Sequence, residues 1–177
     1  RVGSLVGLSA HRADRRSVEC LEGGATVSDR LHVRPGDPGS ALRLRRNVRS
    51  FFQGNRFLLE PLVRHVVSLV PPGPVTDLYA GVGLFGLSLA AAGVEHVTLV
   101  EDDPVSAVDL RDNADAFGAR VHVERRTVEA YLASGRRLDA SSAGPGRRTG
   151  PANDLAKPDA TCVVDPPRTG LSRDALA

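Results

Sequence analysis

Apolar positions recur along the chain with two different periods. From Arg56, the apolar residues of "RFLLEPLVRHVVSLV" are spaced as on one face of a helix, which predicts an amphipathic helix. Because proline fits best near the start of a helix, Pro61 predicts that the regular helix begins around Glu60. The "PPG" at 71–73 ends it. The predicted core face consists of Leu59, Leu62, Val63, Val66, Val67 and Val70.

Short apolar runs then alternate with further helical segments. The runs "VTDLYA", "HVTLVE", "RVHVE" and "ATCVVDPP" predict four strands. Between them, "LFGLSLAAAG" predicts a helix closed by Gly93, residues 104–117 a helix closed by Gly118, and residues 128–132 a short helix. Residues 134–158 are rich in Gly, Ser, Pro and Arg, which predicts a long loop. The alternation predicts a parallel α/β sheet that binds ligands at the carboxyl ends of its strands.

Residues 1–49 lack this regular pattern. "RVGSLVGLS", "RRSVECLE" and "ALRLRR" predict strands, and "RPGDPGS" predicts a turn. The segment holds too few apolar residues to form a core of its own. We therefore interpret residues 1–49 as a small, irregular or β-rich remnant, and residues 50–177 as the main domain.

The composition agrees with one globular domain and adds one feature, an uneven distribution of charge. The chain has 177 residues, of which 41% are apolar and 25% charged. Residues 1–56 contain eleven Arg and five acidic residues, which fits a surface that faces phosphates or, equally, a solvated arginine-rich face. Two Cys make no disulfide framework, and no signal peptide or membrane-spanning run is found. Together with an Arg at position 1, these features predict a fragment of a cytoplasmic protein.

The segment "DLYAGVGLFG" indicates a cofactor site. Gly81, Gly83 and Gly86 form a G-x-G-x-x-G pattern between a strand and a helix, which suits a dinucleotide or S-adenosylmethionine. Asp77 lies four residues before Gly81. A carboxylate there suits a ligand with an ammonium group better than it suits a pyrophosphate. The alternative is that Asp77 caps a helix or stabilises a turn.

Glu101 ends the second strand of the predicted sheet. From there its carboxylate can accept hydrogen bonds from the ribose hydroxyls of either cofactor. The alternative is that Glu101 belongs to an acidic cluster with Asp102 and Asp103 that caps the next helix. Together with the glycines and Asp77, Glu101 favours S-adenosylmethionine.

The segment "DPPRTGL" follows the fourth strand. Because tandem prolines cannot continue a strand inside a sheet, they predict a rigid corner that projects Asp165 over the cofactor site. Arg168 can then meet a phosphate or a carboxylate. Cys162 lies inside the strand, where we expect its side chain to be buried.

Four motifs together resemble a known family. "SFFQGN", "DLYAGVGLFG", "LVE" and "DPPRTGL" are similar, in this order and spacing, to motifs of the RNA uracil-C5 methyltransferases that modify tRNA and 23S rRNA. The resemblance covers about residues 47–177. It implies a class I methyltransferase (Rossmann-like) α/β core, truncated at the C-terminus. Residues 1–49 would be a remnant of a central RNA-contacting β region, and residues 50–177 an incomplete S-adenosylmethionine-binding domain.

The resemblance also implies roles for individual residues. Gln53, Tyr79, Glu101 and Asp165 match cofactor-contacting positions, next to Asp77, Gly81 and Gly83 of the glycine segment. The two Phe beside Gln53 are interpreted as an anchor for the entry to the first helix, and Asn55 as its cap. The alternative is a hydrophobic staple with incidental amides.

The chemistry of the family requires residues that we do not find here. A Cys thiolate adds to C6 of uracil, C5 then attacks the methyl group, and a base removes the C5 proton. In the family this Cys follows the Asp-Pro-Pro corner and the base lies later still, so we expect both beyond Ala177. A buried Cys162 would not replace the nucleophile. The fragment is therefore expected to bind cofactor but to be inactive by itself.

The remaining expectations concern metal, partners and rival functions. Cys20 matches the fourth ligand of a 4Fe–4S cluster in some family members, with a buried structural Cys as the alternative. The expected partner is rRNA or tRNA, to which the Arg pairs within 134–158 could contribute, with no membrane and a monomeric state. Rival functions are an RNA cytosine-C5 or other base methyltransferase, a non-catalytic RNA-binding remnant, and a nucleotide-dependent oxidoreductase.

Overall fold

The computed structural model describes residues 7–12, 17–140, 159–168 and 170–176. The strands, in chain order, are β1 (Gly7–Arg12), β2 (Ser17–Gly23), β3 (Thr26–His32), β4 (Ala41–Asn47), β5 (Val75–Leu78), β6 (Val97–Glu101), β7 (Val121–Arg125) and β8 (Thr161–Val164). The helices are α1 (Arg56–Leu69), α2 (Leu84–Ala91), α3 (Ser106–Ala114), α4 (Val128–Ala140) and α5 (Arg173–Leu176). Short 3-10 turns occupy Pro38–Ser40 and Asp115–Arg120.

The main sheet is parallel and has the order β7-β6-β5-β8. All four residues of β5 are buried, as are the first four of β6, because helices cover the sheet. The Val and Leu residues of β5 and β6 suit strands that are covered on both faces, and Thr76, Asp77 and Thr98 are buried among them. The predicted α/β class with a parallel sheet is confirmed. None of the described helices combines the length and the apolar character that crossing a bilayer requires.

The first four strands form two antiparallel hairpins, β1 with β2 and β3 with β4. The sequence pattern does not reveal β3, because the inward positions of this strand include a charged residue. Asp29 points inward in β3 and pairs with Arg46 of β4 at 3.0 Å. Leucines on the inner face of this hairpin, Leu31, Leu42 and Leu44, pack in the same core as α1 and α2.

The start of α1 differs from the prediction. The helix begins at Arg56 rather than around Glu60, and Pro61 lies inside it. Asn55 caps it, since its Oδ1 accepts hydrogen bonds from the backbone N–H groups of Phe57 (3.1 Å) and Leu58 (3.3 Å). This cap satisfies donors that the first turn leaves open, and the proline costs only one later backbone bond. The predicted capping role of Asn55 is what the structure shows.

Helix α4 is longer than predicted. It spans Val128–Ala140, whereas the sequence predicted a helix over 128–132 and a loop over 134–158. Ala, Leu and Arg in "LASGRRLDA" favour a helix and outweigh the single Gly, so the loop prediction is wrong for 134–140. The rest of that predicted loop, residues 141–158, lies outside the described residues.

Candidate functional site

The glycine segment after β5 forms a tight loop with several left-handed residues. Tyr79, Gly81 and Gly83 have φ values of +62°, +58° and +97°. A Cβ on Gly83 would lie 2.4 Å from Cδ1 of Leu87, so only glycine fits there. A left-handed conformation is costly for Tyr79, and such strain often marks functional sites. The loop turns the chain back towards the carboxyl ends of the strands before α2 begins.

Glu101 fastens this loop to the end of β6. Its Oε2 accepts a hydrogen bond from the N–H of Gly81 at 2.7 Å, and its Oε1 accepts from the N–H groups of Asp102 (3.0 Å) and Asp103 (2.8 Å). The cap of α3 is Asp103, whose Oδ1 accepts from the backbone N–H of Ser106 at 2.7 Å. The structure therefore assigns the capping role to Asp103, and the Glu101 carboxylate lines the cavity described next.

A cavity of about 720 Å³ lies at the carboxyl ends of β5, β6 and β8. Each of the four sequence motifs contributes a wall, although they are far apart in the chain. The lining residues are Arg49, Phe51, Phe52, Gln53, Tyr79, Ala80, Gly81, Val82, Leu84, Phe85, Glu101, Asp102, Asp103, Ser106, Asp165, Pro166, Pro167 and Arg168. The cavity is therefore where a ligand of the predicted sheet is expected to bind.

The two ends of the sequence resemblance meet across this cavity. Nε2 of Gln53 donates a hydrogen bond to Oδ2 of Asp165 at 3.3 Å, although the two residues are 112 positions apart. Asp165 directly follows β8, and the prolines turn the chain there as predicted. The guanidinium of Arg46 lies 4.6 Å above the ring of Phe52 and orients it. Gln53, Tyr79, Gly81, Glu101 and Asp165 are thus brought together.

Asp77 occupies a different place from the predicted one. It is 1% exposed and does not line the cavity. Its Oδ2 accepts a hydrogen bond from the N–H of Gly86 at 2.8 Å, inside the first turn of α2. The predicted contact with a cofactor ammonium group is therefore not what the structure shows, and the alternative role, a helix cap, is. The separation of four positions between Asp77 and Gly81 in the sequence does not reveal that the Asp77 side chain points into the core.

Burial makes Asp77 a source of pH dependence. Desolvation raises the pKa of its carboxyl from 3.8 to about 7, and the charges of Asp165 and Glu101 add to the rise. Its Oδ1 has no hydrogen-bond partner among the described residues. Between pH 4 and 7 the folded chain therefore keeps a proton at Asp77 that the unfolded chain has lost, so folding becomes less favourable as pH rises.

We expect the free energy of unfolding to fall by roughly 3 kcal/mol between pH 4 and 7 because of Asp77, since each unit of pKa difference is worth about 1.36 kcal/mol and the carboxyl is only partly titrated at either end of this range. Asp77→Asn keeps an acceptor for the N–H of Gly86 but cannot ionise, so it should remove this part of the pH dependence. Urea unfolding of both proteins at several pH values measures it. Equal slopes against pH for the two proteins would contradict the assignment.

Cys162 is exposed, not buried as predicted. Among the described strands β8 pairs only with β5, so it is an edge strand and one of its faces lacks cover. Partial burial of the sulfur and the charge of Asp77 raise the pKa of the Cys162 thiol to about 11. Since the thiolate is the reactive form, Cys162 is a weak nucleophile near neutral pH. The prediction that Cys162 is not the nucleophile was based on its burial, which the structure does not show, and the raised pKa of the thiol supports it instead.

Cys20 lies on the exposed surface of β2, so the alternative of a buried structural Cys is wrong. Its Sγ lies 3.3 Å from the carbonyl oxygen of Gly23. The described part of the chain contains no group of three or more His, Cys, Asp and Glu side chains that could hold a metal ion. A 4Fe–4S cluster takes four thiolates, so the described residues do not fit it. The ligand role of Cys20 stays a prediction.

Sequence comparison shows relatives among RNA methyltransferases, while no protein-family model matches the chain. An uncharacterized RNA methyltransferase of Parasynechococcus marenigrum is 33% identical over 142 residues, which are 76% of this chain and 26% of the relative. A tRNA (uracil(54)-C(5))-methyltransferase of Pyrococcus furiosus is 33% identical over 124 residues, 69% of this chain and 24% of the relative. A 23S rRNA (uracil(747)-C(5))-methyltransferase of Pyrococcus abyssi is 35% identical over 122 residues, with the same shares.

Structure comparison agrees on the fold. The crystal structure of the Pyrococcus abyssi tRNA (uracil-54, C5)-methyltransferase in complex with S-adenosyl-L-homocysteine matches with a TM-score of 0.63 and 21% identity. The match covers 98% of this chain and 38% of that chain. The methyltransferase-type, Rossmann-like fold is therefore confirmed. The chain spans about a quarter of the length of the curated relatives it matches.

Proposed function

We propose, from the confirmed sequence resemblance of this chain to RNA uracil-C5 methyltransferases, that it forms the cofactor-binding part of such an enzyme. The reaction proposed for the whole protein is methyl transfer from S-adenosylmethionine to C5 of a uridine in rRNA or tRNA. The observation that supports it most is that all four motifs of the resemblance line one cavity at the carboxyl ends of the strands. We propose that residues 50–177 carry the cofactor contacts, and that the β3–β4 hairpin, which packs in the same core, folds together with them.

The charges around the cavity favour S-adenosylmethionine over a dinucleotide. Among the lining residues, four carry carboxylates and two carry guanidinium groups: Glu101, Asp102, Asp103, Asp165, Arg49 and Arg168. An acidic lining attracts a ligand that carries a sulfonium and an ammonium group, and repels a pyrophosphate. The acidic lining therefore disfavours the oxidoreductase alternative, which rests on the glycine pattern alone.

The residues present fit S-adenosylmethionine as follows. The Glu101 carboxylate would accept a hydrogen bond from a ribose hydroxyl through Oε2, which has a further lone pair, whereas Oε1 already accepts from two backbone N–H groups. Gln53, Tyr79 and Asp165 would contact the cofactor from the opposite walls, with Gly81 allowing close approach of the loop. Gly83 does not line the cavity, and its missing Cβ leaves room for Leu87 and Leu110 instead. When bound, the cofactor supplies an electrophilic methyl group. Asp77 holds the start of α2 through the N–H of Gly86 and is not proposed as a direct cofactor contact.

The protein residues proposed here bind and orient the cofactor but do not activate the uridine. Activation at C5 requires a thiolate that adds to C6, and the raised pKa of Cys162 makes that residue unsuitable. We assign the nucleophilic Cys and the general base to parts of the protein outside residues 1–177. The chain alone is therefore proposed to bind cofactor without transferring its methyl group.

The proposed RNA partner is supported by charge next to the cavity. Residues 41–56 contain five Arg and no Asp or Glu. Arg49 and Arg56 are exposed on either side of the "SFFQGN" segment, and Arg168 lies on the cavity wall. Such a basic surface suits the phosphates of a bound RNA strand. The monomeric state also remains a proposal.

Gln53→Ala tests the proposed cofactor contact. We expect it to weaken binding of S-adenosylhomocysteine about tenfold, because one hydrogen-bonding side chain is lost from the cavity wall. The matched control is Asn55→Ala in the same segment, which removes the helix cap and should cost about 1 kcal/mol of stability while leaving affinity intact. Unchanged affinity in Gln53→Ala would favour the hydrophobic staple with incidental amides.

A further inference from the structure

Helix α3 carries two polar residues, Asp109 and Asn113, that bond to distant parts of the chain. They lie one helical turn apart, so their side chains leave the helix on the same face. Neither belongs to a motif of the sequence analysis, and neither lines the cavity. Their partners nevertheless lead directly to two cavity walls.

Asp109 holds the segment that carries Gln53. Its Oδ2 accepts hydrogen bonds from the backbone N–H of Asn47 at 2.6 Å and from the hydroxyl of Ser50 at 2.7 Å. Ser50 is buried, at 5% exposed. The cavity-lining residues Phe51, Phe52 and Gln53 follow it directly in the chain.

This anchor matters because the following residues have little backbone support of their own. In the described part of the chain, the backbone of residues 51–54 belongs to no helix or strand and makes no hydrogen bond. Phe51 is 73% exposed. Phe52 packs against the main core and under Arg46, Gln53 contacts Asp165, and the capped start of α1 holds the far end of the segment. Ser50 holds its near end.

Asn113 joins the same strand to the glycine loop. Its Oδ1 accepts from the backbone N–H of Arg45 at 2.9 Å, and its Nδ2 donates to the carbonyl oxygens of Arg45 (2.8 Å) and Val82 (3.0 Å). Asn113 is 8% exposed, and Val82 lines the cavity. One buried amide therefore fixes β4 and the glycine loop relative to each other.

The start of α3 is bonded to the end of β6, where Glu101 forms a third wall of the cavity. Asp103 caps the helix and donates its own backbone N–H to Oε1 of Glu101 at 2.8 Å. A single helix thus bonds to the segment with Gln53, to the glycine loop and to the strand end with Glu101. A rigid helix with three such attachments sets the spacing of the walls.

We propose that Asp109 and Asn113 are positioning residues for the cofactor: they hold Gln53 at the distance from the glycine loop and Asp165 that binding requires. The inference rests on the proposed function. It differs from a purely structural role because it predicts energetic coupling between Asp109 and Gln53, which do not touch. A structural role would lower stability without such coupling.

The test is a double-mutant cycle with S-adenosylhomocysteine as the probe, at a temperature where circular dichroism shows each variant to be folded. Asp109→Ala should weaken binding about tenfold, and Asp109→Asn less, because the amide keeps one acceptor for Ser50. In the Gln53→Ala background, Asp109→Ala should have little further effect, since its contribution acts through Gln53. If Asp109→Ala does not fold, Asp109→Asn and Ser50→Ala complete the cycle.

The matched control is Asp112→Asn, which removes the same charge from the same helix. Asp112 is exposed and lies 3.9 Å from the guanidinium of Arg45, so its replacement should leave the affinity within about twofold. Fully additive effects of Asp109→Ala and Gln53→Ala, or an unchanged affinity in Asp109→Ala, would overturn the inference. Failure of the unmodified chain to bind the probe would instead contradict the proposed function itself.

Discussion

Glu101→Ala is expected to lower the affinity of the folded chain for S-adenosylhomocysteine by about two orders of magnitude. The hydrogen bond from a ribose hydroxyl to the free lone pair of Oε2, worth about 1.5–3 kcal/mol, would be lost. The N–H of Gly81 would also lose its acceptor, so the glycine loop would no longer be fastened to β6. Isothermal titration calorimetry measures the change.

Two further variants separate this role from general electrostatics. Glu101→Gln keeps the size and one acceptor, so its loss should be intermediate. Asp102→Ala removes the same charge from the next residue, which also lines the cavity, and should have a much smaller effect. Equal losses in Glu101→Ala and Asp102→Ala would contradict the specific role of Glu101.

Leu44→Ala is expected to lower the free energy of unfolding by about 3–5 kcal/mol. Leu44 is 0% exposed and lies on β4, where it packs in the core shared with α1 and α2. Truncation would leave a cavity between the hairpin and the helices. Urea unfolding followed by circular dichroism measures the loss.

The control for this prediction is Leu21→Ala on β2, where the side chain is 55% exposed and truncation should cost less than about 1 kcal/mol. A small effect of Leu44→Ala would show that the β3–β4 hairpin adds little to the core. It would then support the predicted domain boundary between residues 49 and 50. A large effect would show that the folding unit begins before that boundary and includes the β3–β4 hairpin.

The parallel sheet and the glycine loop could be predicted because their signals are local. Buried strands such as β5 and β6 are short runs rich in Val, Leu and Thr between helical segments, and Gly81 and Gly83 of the loop have positive φ. The tandem prolines had already indicated Asp165, and the resemblance added Gln53, which composition and periodicity alone would not have selected. Their contact across the cavity shows that the motifs describe one site.

The remaining features depend on partners that are distant in the chain. β3 was missed because the inward Asp29 is tolerated only through its pairing with Arg46. Cys162 was misjudged because burial of a strand residue depends on its neighbours in the sheet. Asp109 bonds to Ser50 across 59 positions and Asn113 to Arg45 across 68, so no local pattern marks them.

The central claim is that the cavity binds S-adenosylmethionine rather than a dinucleotide. A calorimetric titration of the folded chain with S-adenosylhomocysteine and, separately, with NAD tests it most directly. The acidic lining and the position of Glu101 predict saturable binding of one S-adenosylhomocysteine per chain and no binding of NAD. Binding of NAD without binding of S-adenosylhomocysteine would contradict it.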